Sequence, residues 1–233
     1  MPSKELAIAG LYDGIYHFYE KANFLLTAGL DGYWRRAAAR EARRLAPGAA
    51  AALDACCGTG DFALELAAAY GSALRITGAD LSAAMLSKAR SRAPGIPFVE
   101  AEAKRLPFPD GSFDLVAISF ATRNLALTRE DLLAAFAEFR RVLKPGGLFL
   151  NLETSSPANP ALRFLFRAYV RVSIGLLNVL SPATKASYSF LRNTILAFCG
   201  AEELSARLAE AGFREPSFRR LFPGAVAVHT ARK

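Results

Sequence analysis

From about Ala49 onward, short apolar runs alternate with stretches whose apolar residues recur every three to four positions, the pattern of strands separated by helices. "AAALDACCG" (50–58) reads as a strand entering a glycine turn, and "DFALELAAAY" (61–70) as a helix with Asp61 near its electropositive end. "LRITGAD" (74–80) is a second strand, "SAAMLSKARSRA" (82–93) a helix capped by Ser82, and "IPFVEAEA" (96–103) a third strand. "FDLVAISFA" (113–121) is the fourth. The helix "REDLLAAFAEFRRVL" (129–143) follows, stopped by "KPGG", and then the fifth strand "LFLNLE" (148–153). Strands joined through helices require a parallel sheet covered on both faces.

Two regions lie outside this rhythm. The first fifty residues read as helical and aromatic-rich, with Tyr12, Tyr16, Tyr19, Phe24 and Trp34. The second, from about Thr154 to Cys199, inserts "ALRFLFRAYVRVSIGLLNVL" after the fifth strand. Beyond it, "AEELSARLAEAGF" is an amphipathic helix closed by Gly212, and "FPGAVAVHTARK" a terminal strand. A chain of 233 residues holds one sizeable core and is short for two. The expected organisation is one domain over 1–233, with a helical cap at 1–48 and a ligand-binding core at 49–153. A helical insertion covers the site at 154–199, and a closing helix and strands occupy 200–233.

Composition narrows the class. Hydrophobic residues at 52% against 21% charged exclude a disordered chain. An excess of 29 Lys+Arg over 21 Asp+Glu, +8 in all, favours polyanionic surfaces such as nucleic acid or an anionic bilayer. No separate basic tail or RNA-binding module accompanies it, so nucleic acid is not expected as a partner. Three cysteines, two of them adjacent, fit neither a disulfide framework nor a zinc pattern, which points to a reducing cytosol. No stretch reaches the roughly eighteen uncharged apolar residues of a spanning helix, and no export signal is seen.

The chemistry concentrates in "LDACCGTGDF" (53–62). Metal or redox use of Cys56 and Cys57 is the weakest reading, since only Cys199, His17 and His229 are available as partners. Gly58, Gly60 and Ala63 satisfy G-x-G-x-x-A with Asp80 at the spacing of a ribose-binding acid, so a dinucleotide site must be weighed. Asp54, four residues before Gly58, tilts the choice. The resulting D-x-x-x-G-x-G resembles the cofactor loop of class I S-adenosylmethionine methyltransferases, in which Thr59 would share. Asp80 would then take the ribose diol, beside Leu81. Met85 reads either as a cover for the adenine face or as plain core. Glu102 and Ala103, at the end of the third strand, would meet the adenine edge or form an ordinary loop.

Longer segments narrow the resemblance. "CCGTGDFALELA", "LPFPDGSFDLVAISFATRN", "RRVLKPGGLFLNLE" and "SYSFLRNTI" stand in the order of the ubiquinone/menaquinone biosynthesis C-methyltransferase family. "YEKANFLLTAGLDGYWRR" resembles its N-terminal signature and "GAVAVH" its closing strand. The chain departs from that pattern at Tyr19-Glu20, at Ala121, in Tyr188-Ser189-Phe190-Leu191 and in "TSSPANP". The resemblance implies an α/β, Rossmann-like class I methyltransferase fold: a mostly parallel seven-stranded sheet with helices on both faces, an N-terminal helical segment and a helical insertion after strand 5. It implies S-adenosyl-L-methionine as cofactor, with Ser119 also on the cofactor side, and a polyprenyl quinol as substrate. Methylation of another hydrophobic phenol, or a scaffold without turnover, are the alternatives.

A quinol carbon becomes nucleophilic as its neighbouring phenol gives up a proton, so the site must favour developing negative charge. By resemblance Arg123, in F-x-x-R-N, polarises the phenol, with Asn124 beside it; the competing reading of Arg123 is a structural ion pair. Tyr188 would offer a phenol to the quinol oxygen or pack in the core, and Tyr19 with Asn23 would close the cofactor's far side or pack. His229 in a terminal strand reads as a satisfied structural histidine, and His17 as surface. Arg163, Arg167 and Arg171 recur every four residues beside a wide apolar face, the composition either of an interfacial helix or of a core helix with a solvated arginine edge. The expectation is a cytoplasmic protein in peripheral contact with the inner face of an anionic membrane; a homodimer stays open.

Overall fold

The computed structural model describes residues 10, 19–180 and 184–233. Tyr12, Tyr16 and His17 lie outside the described residues, as does the side chain of Tyr19. Two N-terminal helices, α1 (Tyr19–Thr27) and α2 (Asp31–Leu45), precede the alternating core. That core runs β1 (Ala51–Ala55), α3 (Asp61–Tyr70), β2 (Arg75–Asp80), α4 (Ala83–Arg92), β3 (Phe98–Glu100), β4 (Phe113–Ser119), α5 (Thr122–Leu125), α6 (Arg129–Val142) and β5 (Leu143–Thr154). The inserted helices α7 (Pro160–Leu180) and α8 (Lys185–Ala197) come next, then α9 (Ala201–Glu210), β6 (Arg214–Leu221) and β7 (Val226–Arg232).

The seven strands stand in the order β3-β2-β1-β4-β5-β7-β6. Pairs among β1 to β5 are parallel, while β7 runs antiparallel to both β5 and β6. Strand order therefore reverses between β1 and β4, and at such a switch point the loops at the strands' carboxyl ends splay apart to leave a crevice.

Alternation along each strand sorts side chains into two apolar layers. Ala52, Leu115, Ala117, Leu148 and Leu150 face Trp34, Ala38 and Ala42 of α2 with Phe62 and Leu66 of α3. Leu53, Val116, Ile118 and Phe149 face Phe136 and Phe139 of α6 with Leu204 and Leu208 of α9. The inserted pair has its own small cluster: Val170, Ile174 and Leu177 of α7 against Tyr188, Leu191 and Ile195 of α8. Among the described residues, no helix is long and apolar enough to cross a membrane.

Helix starts follow the expected chemistry. Ser82 Oγ accepts the Met85 N–H at 3.1 Å, and Thr128 Oγ1 accepts that of Asp131 at 3.1 Å. One expectation needs correction. "KPGG" does not lie beyond a helix and before a strand; α6 ends at Val142, and Leu143 already turns extended and opens β5. Lys144, ahead of Pro145, is held out of the helical region, and the register slips between Phe113 and Leu115 as the strand passes its glycines.

Gly78 in β2 is required by space rather than by backbone angle. A Cβ there would lie 2.4 Å from the Phe98 ring and 3.0 Å from Cys57 Sγ. Replacing Gly78 by Ala is expected to cost about 1–3 kcal/mol through overpacking. Gly95→Ala, which meets nothing within 4 Å, should stay within about 0.5 kcal/mol. Urea unfolding of the two variants checks this, and equal midpoints would refute it.

Candidate functional site

The crevice at the switch point is a cleft built from four strand ends. After β1 it is lined by Cys56, Cys57, Gly58 and Thr59; at the end of β2 by Asp80, Leu81 and Ser82, with Met85 beyond; after β3 by Glu102, Ala103 and Lys104; after β4 by Ser119, Phe120, Ala121 and Asn124. The structure thus brings most of the sequence-predicted cofactor residues to one place. Gly60 stands just behind, left-handed at φ +80°, as the N-cap of α3.

One carboxylate ties two of these loops together. Asp80 Oδ2 accepts the Gly58 N–H at 2.8 Å and Oδ1 accepts the Ser82 N–H at 2.9 Å. A carboxylate oxygen can accept from more than one donor, which is the capacity a ribose diol calls on. The same bond decides between the two cofactor classes weighed from sequence. In a dinucleotide loop the glycine N–H groups face a pyrophosphate, but here the Gly58 N–H is bonded to a carboxylate, and Asp61 and Glu102 add further acid to the lining. An acid-rich cleft repels phosphate and welcomes a cation.

Asp61, in the first turn of α3, accepts from Thr59 Oγ1 at 2.7 Å and pairs with Arg92 at 2.7 Å. Burial alone would raise its carboxyl, but Arg92, Arg35 and Thr59 hold it below the usual value. Asp54 is different. It is fully buried at the end of β1, beneath the cleft, and neither oxygen meets a hydrogen-bond donor at bonding geometry. Burial pushes its carboxyl up to about 8, against the opposing pull of the Ala63 amide and the Arg35 guanidinium.

Two residues that sequence reasoning did not single out line the cleft. Arg35 of α2 is 5% exposed; its Nη1 donates to Asp31 Oδ2 at 2.7 Å, and its guanidinium lies 5.4 Å from the Phe120 ring centre. Phe120 holds a left-handed backbone at φ +54° and also packs against Trp34, with ring centres 6.1 Å apart. Arg35 is one of five arginines in α2, so only the fold separates it from its exposed neighbours.

Phe120 is shared with a second, apolar cavity walled by Leu26, Trp34, Phe166, Tyr169, Leu191 and Ile195, among others. The short helix α5 stands between the two spaces: Asn124 lines the cleft, and Arg123 lines the apolar cavity. Arg123 is buried, and its Nη1 donates to Glu153 Oε1 at 2.8 Å and to the Phe120 carbonyl. Glu153 Oε2 also accepts the Arg123 N–H at 3.2 Å, and Oε1 the Thr154 N–H at 2.8 Å. Arg123 is therefore both an ion-pair member and a cavity wall.

Tyr188 reaches neither space. It is 1% exposed and occupies the face of α8 that repeats at Leu191 and Ile195, packed against α7. Burial pushes its hydroxyl up while the Thr184 side chain opposes the shift, so the role of proton partner to a substrate gives way to packing. His229 is buried in β7 beside Ser205 Oγ at 3.3 Å and Phe218; burial and the nearby Arg220 bring it down to about 4, so it stays neutral. Burial also pushes the Cys56 and Cys57 thiols up, and among the described residues no group of His, Cys, Asp or Glu could hold a metal.

Asp54 carries a signature in stability. Its carboxyl has a reference value of 3.8 and is raised to about 8 in the fold. Between these values folding takes up a proton, so this contribution is complete at low pH and is lost as pH rises through the upper value. Asp54→Asn should flatten the decline in thermal midpoint between about pH 5 and pH 8, the difference reaching a few kcal/mol at most. Superimposable pH profiles for the two proteins would show that the carboxyl is not held neutral.

Comparison with known proteins agrees with this site. A family model described as the ubiE/COQ5 methyltransferase family matches residues 1–233. The chain is 36% identical over 214 residues to a demethylmenaquinone methyltransferase from Chlorobaculum parvum, covering 91% of this chain and 86% of that protein. It is 34% identical over 234 residues to one from Bacillus licheniformis, covering 99% and 98%. Among solved structures, a SAM-dependent methyltransferase from Thermotoga maritima shares the fold at TM-score 0.64 and 22% identity, covering 96% of this chain and 99% of that one. Human N-acetylserotonin methyltransferase in complex with SAM does so at TM-score 0.65 and 19% identity, covering 100% and 60%. The seven-stranded fold, the acid-rich cleft at its switch point and the match along the whole chain make this protein a member of the ubiE/COQ5 methyltransferase family.

Proposed function

We propose that the chain is an S-adenosylmethionine-dependent C-methyltransferase that methylates a ring carbon of a polyprenyl quinol of the demethylmenaquinol kind. The observation that carries the reading is the pair of adjoining spaces with opposite chemistry: an acid-rich cleft and an apolar cavity, sharing Phe120 and separated by Arg123 and Asn124. When bound, the cofactor supplies a sulfonium methyl group to an electron-rich carbon. The cleft fits it: Asp80 would hold the ribose, Glu102 and Ala103 would meet the adenine with Met85 on its face, and Asp54 lies unpartnered under the loop of Gly58 and Thr59.

On the other side of Phe120, the cavity offers a greasy ring and tail mainly aromatic and aliphatic walls. Arg123 is the cation in that wall. A guanidinium does not deprotonate at working pH, so it favours the phenolate that forms on the acceptor rather than taking the proton. Glu153, fully buried, and the Phe120 carbonyl fix its orientation in advance.

The inserted helix relates this cavity to a membrane. Phe166, Tyr169 and Val170 of α7 wall the cavity, whereas Phe164, Leu165, Val172, Leu176 and Val179 point to solvent, Val179 at 75% exposure. At 100° per residue the exposed set falls on the face opposite the buried Val170, Ile174 and Leu177, with Arg167 and Arg171 along its flank. Arg163 is partly spent on the carbonyls of Pro157 and Ala158. We place this face on the anionic inner surface of the cytoplasmic membrane, where the substrate dissolves.

Mass spectrometry after incubation with labelled cofactor and a panel of demethylated quinols and simple phenols tests the reaction. Methylation at a quinol ring carbon is the expected result. Transfer only to another phenol would favour the second enzymatic reading, and cofactor binding without any turnover a scaffold. Arg123→Gln combined with Glu153→Gln, which avoids stranding a buried charge, should lower turnover by about 10²-fold or more while S-adenosylhomocysteine still binds. In sedimentation with anionic vesicles at low salt, Leu165→Gln with Val172→Gln should reduce binding and leave cofactor affinity intact; equal sedimentation would remove the membrane face.

A further inference from the structure

The walls of the apolar cavity grade from buried to open. Trp34, Arg123 and Val170 are buried, whereas Ala28, Tyr169 and Phe222 are exposed, Tyr169 at 40% and Phe222 at 60%. The exposed three form a rim, drawn from the turn after α1, from α7 and from the turn between β6 and β7. Tyr169 donates its hydroxyl hydrogen to the Leu25 carbonyl, which ties α7 to α1 along that rim.

Phe222 is the unusual member. Its backbone stands at φ +28°, in a region that glycine enters freely and a bulky residue enters only at a cost. Burial does not compensate: the ring lies against that of Trp34, ring centres 6.2 Å apart, and most of it faces solvent. Ala28 at φ +50° and Phe120 at φ +54° share this backbone on the same walls. Three of the five non-glycine residues with a left-handed backbone among the described residues therefore line this one cavity. Backbone held away from its preferred conformation tends to collect where ligands are gripped.

The inner end sets a direction. Phe120 is common to cavity and cleft, and the Arg123 guanidinium is bonded to its carbonyl, so a ring receiving a methyl group from the cleft lies at that end. Any chain on the ring then points to the rim. By helical geometry Tyr169 stands within about 60° of Leu165, Val172 and Leu176 around α7, so a chain passing it emerges along the exposed apolar face of that helix. We propose that the acceptor lies ring-inward with its prenyl chain leaving between Phe222 and Tyr169, and that Phe222 selects for acceptors carrying such a chain. This rests on the quinol reading above and adds to it the course of the chain and a specificity residue from the β6–β7 turn.

Initial rates measured without vesicles test it, using a demethylated quinol that bears a geranyl chain and the same ring without a chain. Phe222→Ser should raise KM for the geranyl quinol at least about fivefold with kcat within about twofold, and leave both constants for the bare ring within about twofold. Phe222→Leu, which restores an apolar side chain, should recover most of the loss. An equal rise for both acceptors would mean that the turn only shapes the cavity, and an unchanged KM that the ring is idle; both overturn the assignment. Should the serine variant not fold, or the bare ring not be turned over, a geranyl quinol with a photoreactive diazirine at the far end of its chain decides on the unaltered protein. Peptide mapping should recover the label at Tyr169 or in the turn at Phe222–Gly224, and label recovered only elsewhere overturns the proposal. Failure of the unaltered protein to methylate any quinol would instead remove the reading on which this one rests, and this one with it.

Discussion

Two backbone amides from different loops converge on the carboxylate of Asp80, and the rest of the site depends on that convergence. Strands β1 and β2 are parallel neighbours, so their carboxyl ends emerge side by side and their loops would otherwise diverge toward separate helices. By accepting from Gly58 and Ser82, Asp80 fixes the distance between them and uses up the amide that a phosphate would seek. Only a short side chain with two acceptors can do both. An amide such as Asn would present one acceptor and one donor, and one of the two amides would lose its partner.

The ionisable groups around this centre are satisfied to different degrees, and the differences follow the spaces they face. Arg123 and Glu153 sit at the foot of an apolar cavity and answer each other's charge, an arrangement whose desolvation cost is offset by the extra bonds Glu153 receives from Thr154. Arg35 lines the cleft and Asp54 is fully buried, and both are left with unused atoms. Buried polar atoms without partners are uncommon in folded proteins; the one on Arg35 lies in the cleft lining, while others, such as Asn151 Nδ2 and Asn178 Oδ1, do not. Two of the five non-glycine residues with a left-handed backbone among the described residues lie in the cleft, Cys56 with φ +53° and Phe120 with φ +54°, each just past a strand that ends there.

The sheet was legible because its strands are apolar, short and bounded by glycine or a capping residue. "FDLVAISFA" and the helix after it could hardly be read otherwise. The edge strand β6 is different: "REPSFRRL" is polar and mostly exposed on both faces, as suits an edge that must not recruit another chain, so it has no alternation to detect. The cofactor loop was readable as a motif, since glycine spacing is local. Arg35 was not, because its importance comes from tertiary neighbours on β1, α3 and the turn after β4, while its sequence context repeats arginine along a helix. Tyr188 shows the converse. A motif resemblance drew attention to it, but the period of α8 places it with Leu191 and Ile195, and packing of the inserted helices decides its surroundings.

Phe120, whose ring stands between cleft and cavity, has a consequence for traffic. A water-borne donor and an oil-borne acceptor would each have their own space, one lined by the loops at the sheet's edge and the other partly by α7. Exchange in one need not unseal the other. On the reading proposed above, the spent nucleoside would leave by way of the cleft while a prenyl chain stays in the apolar space, and the reactive centre between them would be kept from flooding.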